Sequence, residues 1–307
     1  MKLQQLRYVV EIVRHGNHLS AAAESLHTSQ PGVSRQMQLL EQELGFEIFL
    51  RTRNRIIDLT EPGRTVFSIA QRISTDIAAL KALKEDIHAG ARGIFTIGTT
   101  HTHARYVLPT VVERFVARYP DVKLVLRQGH PEEICDLVDA GDADLAIATD
   151  TTREFHNLVK LACFDLERCI VAPLGHPILA VPKLTIEEIA KYPIITYDSH
   201  YSGRWKVMKA FSDAGIEPKI VMSGIDADVS KTYVGLGLGI GILASLTYDE
   251  QRDAGIGARD ASDIFPSSTV NIVLRPNTYL RPYLLDFIQS IAPSLTGSAI
   301  RAALGQG

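Results

Sequence analysis

The first part of the chain carries apolar positions at helical spacing, in two runs separated by a short polar turn. The first run follows the spacing i, i+3, i+4 and i+7 and comprises Leu19, Ala22, Ala23 and Leu26. The second run, after the turn at residues 27–29, comprises Val33, Met37, Leu40 and Leu44. Ser29 is placed to cap the second helix, and Pro31 falls in its first turn, where a missing N–H costs little. The pattern is typical of a helix-turn-helix, whose second helix lies in the major groove of DNA.

The polar face of this second helix carries side chains that recognise base edges, namely Gln30, Ser34, Arg35 and Gln38. Arginine donates two hydrogen bonds to the edge of a guanine, glutamine pairs with adenine, and serine contacts either a base or a phosphate. An amphipathic helix hairpin with a polar outer face would show the same pattern. These residues alone therefore leave both interpretations open.

A basic hairpin follows the second helix. Gly45 is placed to end that helix, and residues 46–59 predict two short strands whose tip holds Arg51, Arg53 and Arg55. Beside a helix-turn-helix, such a tip is typical of a wing that touches phosphate or the minor groove, although a solvated turn is the alternative. The residues predicted to contact DNA are Thr28, Ser29, Gln30, Pro31, Ser34, Arg35, Gln38, Arg51, Arg53 and Arg55.

A long helix is predicted next. Thr60 is placed as its cap, with an acidic residue and a proline in the first turn, and the helical pattern continues to about Ala89. Its apolar positions alternate by four and three residues and comprise Val66, Ala70, Ile73, Ile77, Leu80 and Ile87. This is a coiled-coil seam of about three to four heptads, and we expect it to pair with a second subunit. A dimer would present two recognition helices to one pseudo-palindromic DNA site.

From Ile94 onward, short apolar strands alternate with helices. Predicted strands cover residues 94–99, 122–128, 144–148, 168–173, 194–197, 219–222, 239–244 and 269–274. Predicted helices cover residues 103–119, 131–140, 203–214, 228–236 and 279–291, and we expect the last dozen residues to fray. This alternation predicts an α/β fold with mainly parallel sheets, in two lobes. The predicted domains are a winged helix-turn-helix (1–59), a linker helix (60–90) and a two-lobed domain (91–307), with lobe I about 91–162 and 269–295 and lobe II about 163–268.

Composition and charge restrict the class of protein. Hydrophobic residues make up 46% and charged residues 22% of the 307 residues, as in ordinary globular proteins. No apolar run approaches the ~20 residues that span a bilayer, and no signal peptide is recognisable, so we expect a cytoplasmic protein without a membrane partner. Three cysteines at no metal-ligand spacing, Cys135, Cys163 and Cys169, fit reduced thiols. The net charge of −3 does not by itself indicate a nucleic-acid partner.

Hydroxyl side chains cluster where predicted strands end and helices begin, at Thr99, Thr100, Thr102, Thr149, Thr196 and Ser202. In two-lobed α/β receptors the ligand lies beyond the carboxyl ends of strands and near helix N-termini. Neutral donors combined with helix N–H groups favour a small anion. Ordinary helix capping uses the same residue types, so the residues alone leave both interpretations open.

Several stretches carry a family resemblance. The segments AAAESLHTSQPGVSRQMQLLEQELG, LTEPG and GLGLGIGILA resemble LysR-type transcriptional regulators, over the whole chain. MKLQQLRYVVEIV, TSQPGVSRQ, TTHTHARYVLP, ADLAIAT and DADVSKTYVGLGLGIGILAS are similar to the CysB/Cbl branch, which governs sulfur assimilation genes. The resemblance implies promoter DNA, RNA polymerase and a small effector as partners. It also implies a periplasmic-binding-protein-like effector domain and a homotetramer built as a dimer of dimers.

The resemblance also implies a pocket for a small anionic effector such as sulfate, thiosulfate, acetylserine or adenosine phosphosulfate. The residues implied or placed at this pocket are Thr100, Thr102, His103, Thr149, Leu166, Thr196 and Ser202. Three of them differ from the residues that are common in the CysB/Cbl branch. His103 replaces Gln, Leu166 replaces Trp and Ser202 replaces Thr. His103 would add a donor that titrates near pH 6.5, and Leu166 would remove an aromatic wall.

No cofactor, metal or catalytic set is predicted. The glycines of residues 235–241 lack the spacing of a dinucleotide fingerprint, and the pair His101 and His103 lacks a third metal ligand. Asp228 is expected to cap a helix, and Lys231 could face the cleft. The alternatives are a cytosolic small-anion receptor without a DNA role, an enzyme on the α/β scaffold, and a LysR-type regulator of another pathway.

Overall fold

A computed structural model of the chain describes residues 1–52, 55–89 and 91–305. The chain divides into two compact units, Met1–His88 and Ala89–Gly307. Among the described residues, no helix combines the length and the apolar character that crossing a membrane requires.

The first unit is a three-helix cluster followed by a two-stranded hairpin and a long helix. Its elements are α1 (Leu3–Arg14), α2 (Leu19–Ser25), α3 (Gln30–Leu44), β1 (Phe49–Thr52), β2 (Arg55–Leu59) and α4 (Glu61–Ala89). The predicted apolar faces of α2 and α3 meet in one core, in which Ala22, Val33 and Met37 are fully buried. The Ser29 hydroxyl accepts the Gly32 N–H at 3.3 Å, and Gly45 ends α3 in the left-handed conformation, as predicted.

The start of α4 is fixed against the segment between α3 and β1. Thr60 caps the helix by accepting the Gly63 N–H at 2.9 Å, and its own N–H donates to the Ile48 carbonyl. A Cβ at Gly63 would lie 2.0 Å from that carbonyl oxygen, so only glycine permits this approach.

The apolar seam of α4 has two roles rather than one. Ala70 is buried, and Val66 and Ile73 are partly buried, against the core of the helix-turn-helix itself. The expectation that the whole stripe faces a second subunit is therefore wrong for its first half. Leu80 is 68% exposed and Leu83 39% exposed, so the second half has no cover within the described part of the unit. The side chain of Ile87 lies outside the described residues.

Lobe I of the second unit is built on a five-stranded sheet in the order β4-β3-β5-β12-β6. Its strands are β3 (Gly93–Thr99), β4 (Val122–Gln128), β5 (Leu145–Thr149), β6 (Val159–Leu166) and β12 (Ser268–Leu274). The helices that accompany them are α5 (His101–Tyr106), α6 (Leu108–Arg118), α7 (Pro131–Ala140), α12 (Pro282–Ile291) and α13 (Gly297–Ala303). Strands β3, β4 and β5 are parallel, and β12 runs antiparallel to both β5 and β6.

Lobe II is built on a second five-stranded sheet in the order β11-β7-β10-β8-β9. Its strands are β7 (Arg168–Pro173), β8 (Ile194–Tyr197), β9 (Ile220–Gly224), β10 (Ile240–Ala244) and β11 (Ile256–Asp260). The helices are α8 (Pro177–Ala180), α9 (Ile186–Ala190), α10 (Ser202–Asp213) and α11 (Ala227–Gly235), with a 3₁₀ turn at Ser245–Thr247. The chain enters lobe II after β6 and returns to lobe I at β12, so two crossing segments lie side by side beneath the cleft.

Two expectations about the second unit are wrong, and four of its elements were not predicted. The helix predicted at 103–119 is broken at Val107, because Pro109 has no N–H with which to continue the first helix. The last dozen residues include α13, whose Ile300 is fully buried, as is Leu304 beyond its end. Strands β6 and β11, with the short helices α8 and α9, were not predicted.

Candidate functional site

Helix α3 presents the polar residues that were predicted to contact DNA on an accessible face. Gln30, Pro31, Arg35 and Gln38 are exposed, and Ser34 is partly exposed between them. Thr28 and Ser29, in the turn before α3, are also exposed. Because the opposite face of α3 is buried in the core, the helix can offer only this polar face to a partner.

A buried carboxylate fixes the hairpin to α3. Glu41 is 7% exposed, and its Oε1 accepts the backbone N–H groups of Ile48 at 2.9 Å and Phe49 at 3.3 Å. Its Oε2 accepts from the Arg51 guanidinium at 2.8 Å. Glu41 was not predicted from the sequence, although a glutamate that follows the apolar Leu40 near the end of a helix is a recognisable signal.

The hairpin arginines are therefore not equivalent. Arg51 is held by Glu41, whereas Arg55 is exposed on β2. Arg53 lies outside the described residues. Arg55 is accessible to a partner, whereas Arg51 links β1 to α3 through Glu41.

A small pocket opens between the two lobes of the second unit. The residues that line it are Thr100, Thr102, His103, Thr149, Leu166, Arg168, Tyr197, Tyr201, Ser202, Gly203 and Ala244. Six of the seven residues predicted for an effector site are therefore brought together. Thr196 is the exception, because successive residues of a strand point to opposite faces and Tyr197 takes the face toward the pocket.

The lobe I side of the pocket is organised by the start of α5. Thr100 caps α5, and its hydroxyl lies 3.0 Å from Nδ1 of His103. The same Nδ1 lies 3.1 Å from the carbonyl oxygen of Ile147 on β5. Burial lowers the pKa of His103 to about 4, against the opposing effect of the Ile147 hydrogen bond, so the imidazole is neutral at pH 7.

The lobe II side holds a buried positive charge that the sequence analysis missed. Arg168 is 2% exposed and donates hydrogen bonds to the Leu166 carbonyl at 2.9 Å and to the Ser268 hydroxyl. Its Nε is buried without a hydrogen-bond partner, and no carboxylate of the described residues lies within 4 Å of it. Burial lowers the pKa of the guanidinium, which nevertheless stays charged. A lone arginine beginning the apolar strand RCIVAP was the available signal.

The N-terminus of α10 completes the donor set. Ser202 is buried and donates to Ser268 at 2.9 Å, and Tyr201 before it has no side-chain cap to offer the helix. A Cβ at Gly203 would lie 3.2 Å from both the Arg168 guanidinium and the Tyr197 ring, so glycine lets α10 approach the charge closely. The first N–H groups of α10 and the guanidinium together favour an anion in the pocket.

Polar contacts bridge the two lobes around the pocket. The Tyr106 hydroxyl of α5 donates to Asp228 of α11 at 2.7 Å, and Lys231 donates to the same hydroxyl at 3.0 Å. Lys206 of α10 donates to Asp150, just after β5, at 2.6 Å. The rings of His130 and His200 stack at 4.8 Å. These contacts join the two lobes around the pocket.

Two further sequence expectations change at this interface. Asp226, not Asp228, caps α11, by accepting the Val229 N–H at 2.8 Å, and Asp228 instead pairs with Arg105. Lys231 does face lobe I, where it donates to Tyr106, but it is buried and paired with Asp253. His101 does not converge with His103. Its ring nitrogen lies near Asp226 and Asp228, a group that could hold a metal ion if Asp228 gave up its present partners.

Comparison with known families matches both units. Residues 3–64 match the bacterial regulatory helix-turn-helix protein model of the lysR family, and residues 88–296 match the LysR substrate binding domain. The chain is 42% identical over 304 residues to the transcriptional regulator SsuR of Burkholderia cenocepacia, covering 99% of each chain.

Other relatives agree. The regulator CysB of Haemophilus influenzae is 43% identical over 303 residues, which cover 99% of this chain and 94% of that protein. The crystal structure of the cofactor-binding domain of the Cbl transcriptional regulator has a TM-score of 0.67 and 36% sequence identity. That match covers 71% of this chain and 95% of the domain.

Proposed function

The chain belongs to the LysR family of transcriptional regulators, and we propose that it controls genes of sulfur assimilation in response to a small anion bound in its interlobe pocket. The observation that carries this proposal is the buried guanidinium of Arg168, which lies among pocket hydroxyls and has no carboxylate partner in the part of the chain that the structure describes. An isolated buried charge is costly, and an anionic ligand would compensate it. Relatives named CysB, Cbl and SsuR support the sulfur pathway.

We propose that α3 reads the operator. Arg35 and Gln38 have the side-chain chemistry for base edges, and Gln30 and Ser34 lie nearby on the same accessible face. Arg55 would contact phosphate, which adds affinity without sequence preference. Thr28, Ser29 and Pro31 would set the approach of the helix N-terminus to the backbone.

The proposed effector is sulfate, thiosulfate, acetylserine or adenosine phosphosulfate. Thr100, Thr102, Thr149 and Ser202 would donate or share hydroxyl hydrogen bonds, and Arg168 would supply the charge. Leu166 would leave space for a substituent.

The proposed mechanism is a population shift between closed and open lobes. An anion in the pocket would contact Arg168 and Ser202 from lobe II and Thr100 from lobe I, and so bind the closed state more tightly. Closure would change how subunits pack, and with that the spacing of recognition helices and the contact with RNA polymerase.

We propose a dimer of dimers as the assembly. The exposed half of the α4 seam, with Leu80 and Leu83, supports pairing of two long helices. Lobe II also exposes an apolar patch on β9 and α11, comprising Val221, Ile225, Val229 and Tyr233. On lobe I, α6 and β4 expose Val116 and Leu126. These apolar surfaces of the lobes are separate from the α4 seam. They fit a second interface, through which two dimers would join.

The test of DNA reading uses operator sequences selected by the full-length protein from a random pool. Arg35→Ala should lose about 1–3 kcal/mol on the selected site and relax preference at one position. Arg55→Ala should weaken binding to all sequences alike and reduce the slope of affinity against salt. Arg7→Ala, which removes an exposed arginine of α1 that is not among the residues proposed to contact DNA, is the matched control.

The test of the effector is a thermal shift of the full-length protein with each proposed anion. A ligand at 100 times its dissociation constant should add about 2.7 kcal/mol to the free energy of unfolding. We expect Thr102→Ala to reduce that gain. Stabilisation by none of the anions would leave the LysR assignment intact and point to a regulator of a different pathway. An unchanged affinity of Arg35→Ala for the selected DNA would instead favour a small-anion receptor without a DNA role.

A further inference from the structure

The His103 ring presents a hydrogen-bond acceptor, not a donor, to the interlobe pocket. Its Nδ1 lies 3.1 Å from the Ile147 carbonyl oxygen, and a carbonyl can only accept, so Nδ1 carries the ring hydrogen. In a neutral imidazole the other nitrogen then holds a lone pair. That nitrogen, Nε2, is buried and has no hydrogen-bond partner among the described residues.

The surroundings keep the ring in this form. His103 is 1% exposed, and burial lowers its pKa to about 4, so at pH 7 only about one ring in a thousand carries a second proton. The Thr100 hydroxyl, 3.0 Å from Nδ1, shares the already occupied side of the ring. Nδ1 faces β5 and His103 lines the pocket, so we infer that Nε2 is the ring nitrogen that a ligand there would meet.

Building on the proposed anion site, we infer that His103 makes the pocket selective for anions that carry their own N–H or O–H donor. Arg168 attracts the anionic group, and the donor of the same ligand satisfies Nε2. A fully deprotonated oxyanion such as sulfate or thiosulfate brings only lone pairs to Nε2. Such an anion leaves Nε2 without a donor and repels its lone pair. We therefore expect its affinity to be lower by about tenfold or more.

Two small anions of equal charge and similar shape isolate the donor. Sulfamate has an NH₂ group where methanesulfonate has a methyl group, and both are monoanions at pH 7.5. In calorimetric titrations of the full-length protein, we expect sulfamate to bind about tenfold or more tightly than methanesulfonate and sulfate. His103→Gln supplies an amide that can donate or accept, so the preference should fall to within about threefold.

The same substitution at the neighbouring histidine is the control. His101 lies on α5 but is not part of the pocket lining, so His101→Gln should keep the full preference for sulfamate. Equal affinity of the natural protein for all three anions would overturn the selectivity and leave the proposed anion site standing. Tight sulfate binding accompanied by proton uptake would also overturn it, because His103 would then act as a cation. Binding of none of the anions would overturn both the selectivity and the proposed anion site.

Discussion

Tyr106 on α5 and Asp228 on α11 belong to different lobes, and the phenol of the first donates a 2.7 Å hydrogen bond to the carboxylate of the second. Lys231, buried beside them, donates to the same phenol at 3.0 Å. Both lobe II partners also have other contacts, to Arg105 and Asp253. The Tyr106 hydroxyl is therefore the central atom of a polar bridge across the cleft.

Removing that hydroxyl should favour the open state. We expect Tyr106→Phe to lower the free energy of unfolding by about 1 kcal/mol, as for one lost hydrogen bond, and to weaken sulfamate binding about three- to tenfold. Urea unfolding and calorimetric titration measure the two effects. Tyr233→Phe, on the exposed side of the same helix α11, should change neither. Unaltered sulfamate affinity in Tyr106→Phe would mean that the bridge does not contribute to closure.

The anion site depends on Arg168, and its removal should separate ligand binding from folding. Arg168→Met should abolish the stabilisation by sulfamate, about 2.7 kcal/mol at 100 times the natural dissociation constant. The unliganded protein should change by only about 1 kcal/mol, because the loss of a costly buried charge offsets the lost hydrogen bonds. Thermal and urea unfolding with and without sulfamate test this. Arg252→Met removes an exposed arginine and should retain the ligand response. A retained response in Arg168→Met would show that the charge does not hold the anion.

Local sequence signals predicted the elements whose ends are set by neighbouring residues. The caps at Ser29 and Gly45 act within one turn of α3, and the structure confirms both. Pro109 is also a local signal, because proline interrupts a helix, and the helix predicted over 103–119 is broken there. Short apolar strands flanked by helices correctly predicted the α/β class, because this pattern too is local in sequence.

The charge of the pocket could not be predicted in this way. Arg168 becomes significant because the fold brings Ser268, which also binds Ser202, against its guanidinium. No carboxylate of residues 1–52, 55–89 or 91–305 pairs with it. The spacing of residues in a sequence does not reveal that an arginine will lack a carboxylate partner in the fold. The exclusion of Thr196 likewise depends on which face of β8 meets the cleft, which is decided by the packing of the whole lobe.

Acidification should destabilise the protein through His103. The pKa is lowered to about 4 in the folded protein from 6.5, so between these values the unfolded chain binds more protons and stability falls as pH falls. This group alone accounts for about 3 kcal/mol, fully present above pH 6.5 and lost by about pH 4. Urea unfolding at pH 7.5, 5.5 and 4.5 should therefore show a shallower decline for His103→Gln than for the natural protein. Parallel declines would mean that His103 does not titrate as inferred.

Glu41 should link folding of the first unit to DNA binding. Glu41→Gln removes the charge that Arg51 contacts and weakens the hydrogen bonds from Ile48 and Phe49, so we expect a loss of about 1–3 kcal/mol in stability. DNA affinity should fall as the hairpin loosens from α3. Glu43→Gln, a half-exposed glutamate two residues later, is the comparison for a general charge effect on binding. Equal effects of the two substitutions on stability would contradict a special role for Glu41.

The exposed half of the α4 seam should hold two subunits together. Leu80 is 68% exposed, and an aspartate there would bring a charge into an apolar helix pair, so Leu80→Asp should dissociate the dimer formed through α4. Leu174, a leucine 67% exposed in lobe II, gives an equally exposed control, and Leu174→Asp should leave the assembly unchanged. Sedimentation velocity measures the assembly directly. Binding of a two-half-site operator should weaken in Leu80→Asp, while binding of one half-site should remain, because each helix-turn-helix keeps its own core. An unchanged sedimentation coefficient would assign the subunit contact to the lobe surfaces instead of the long helix.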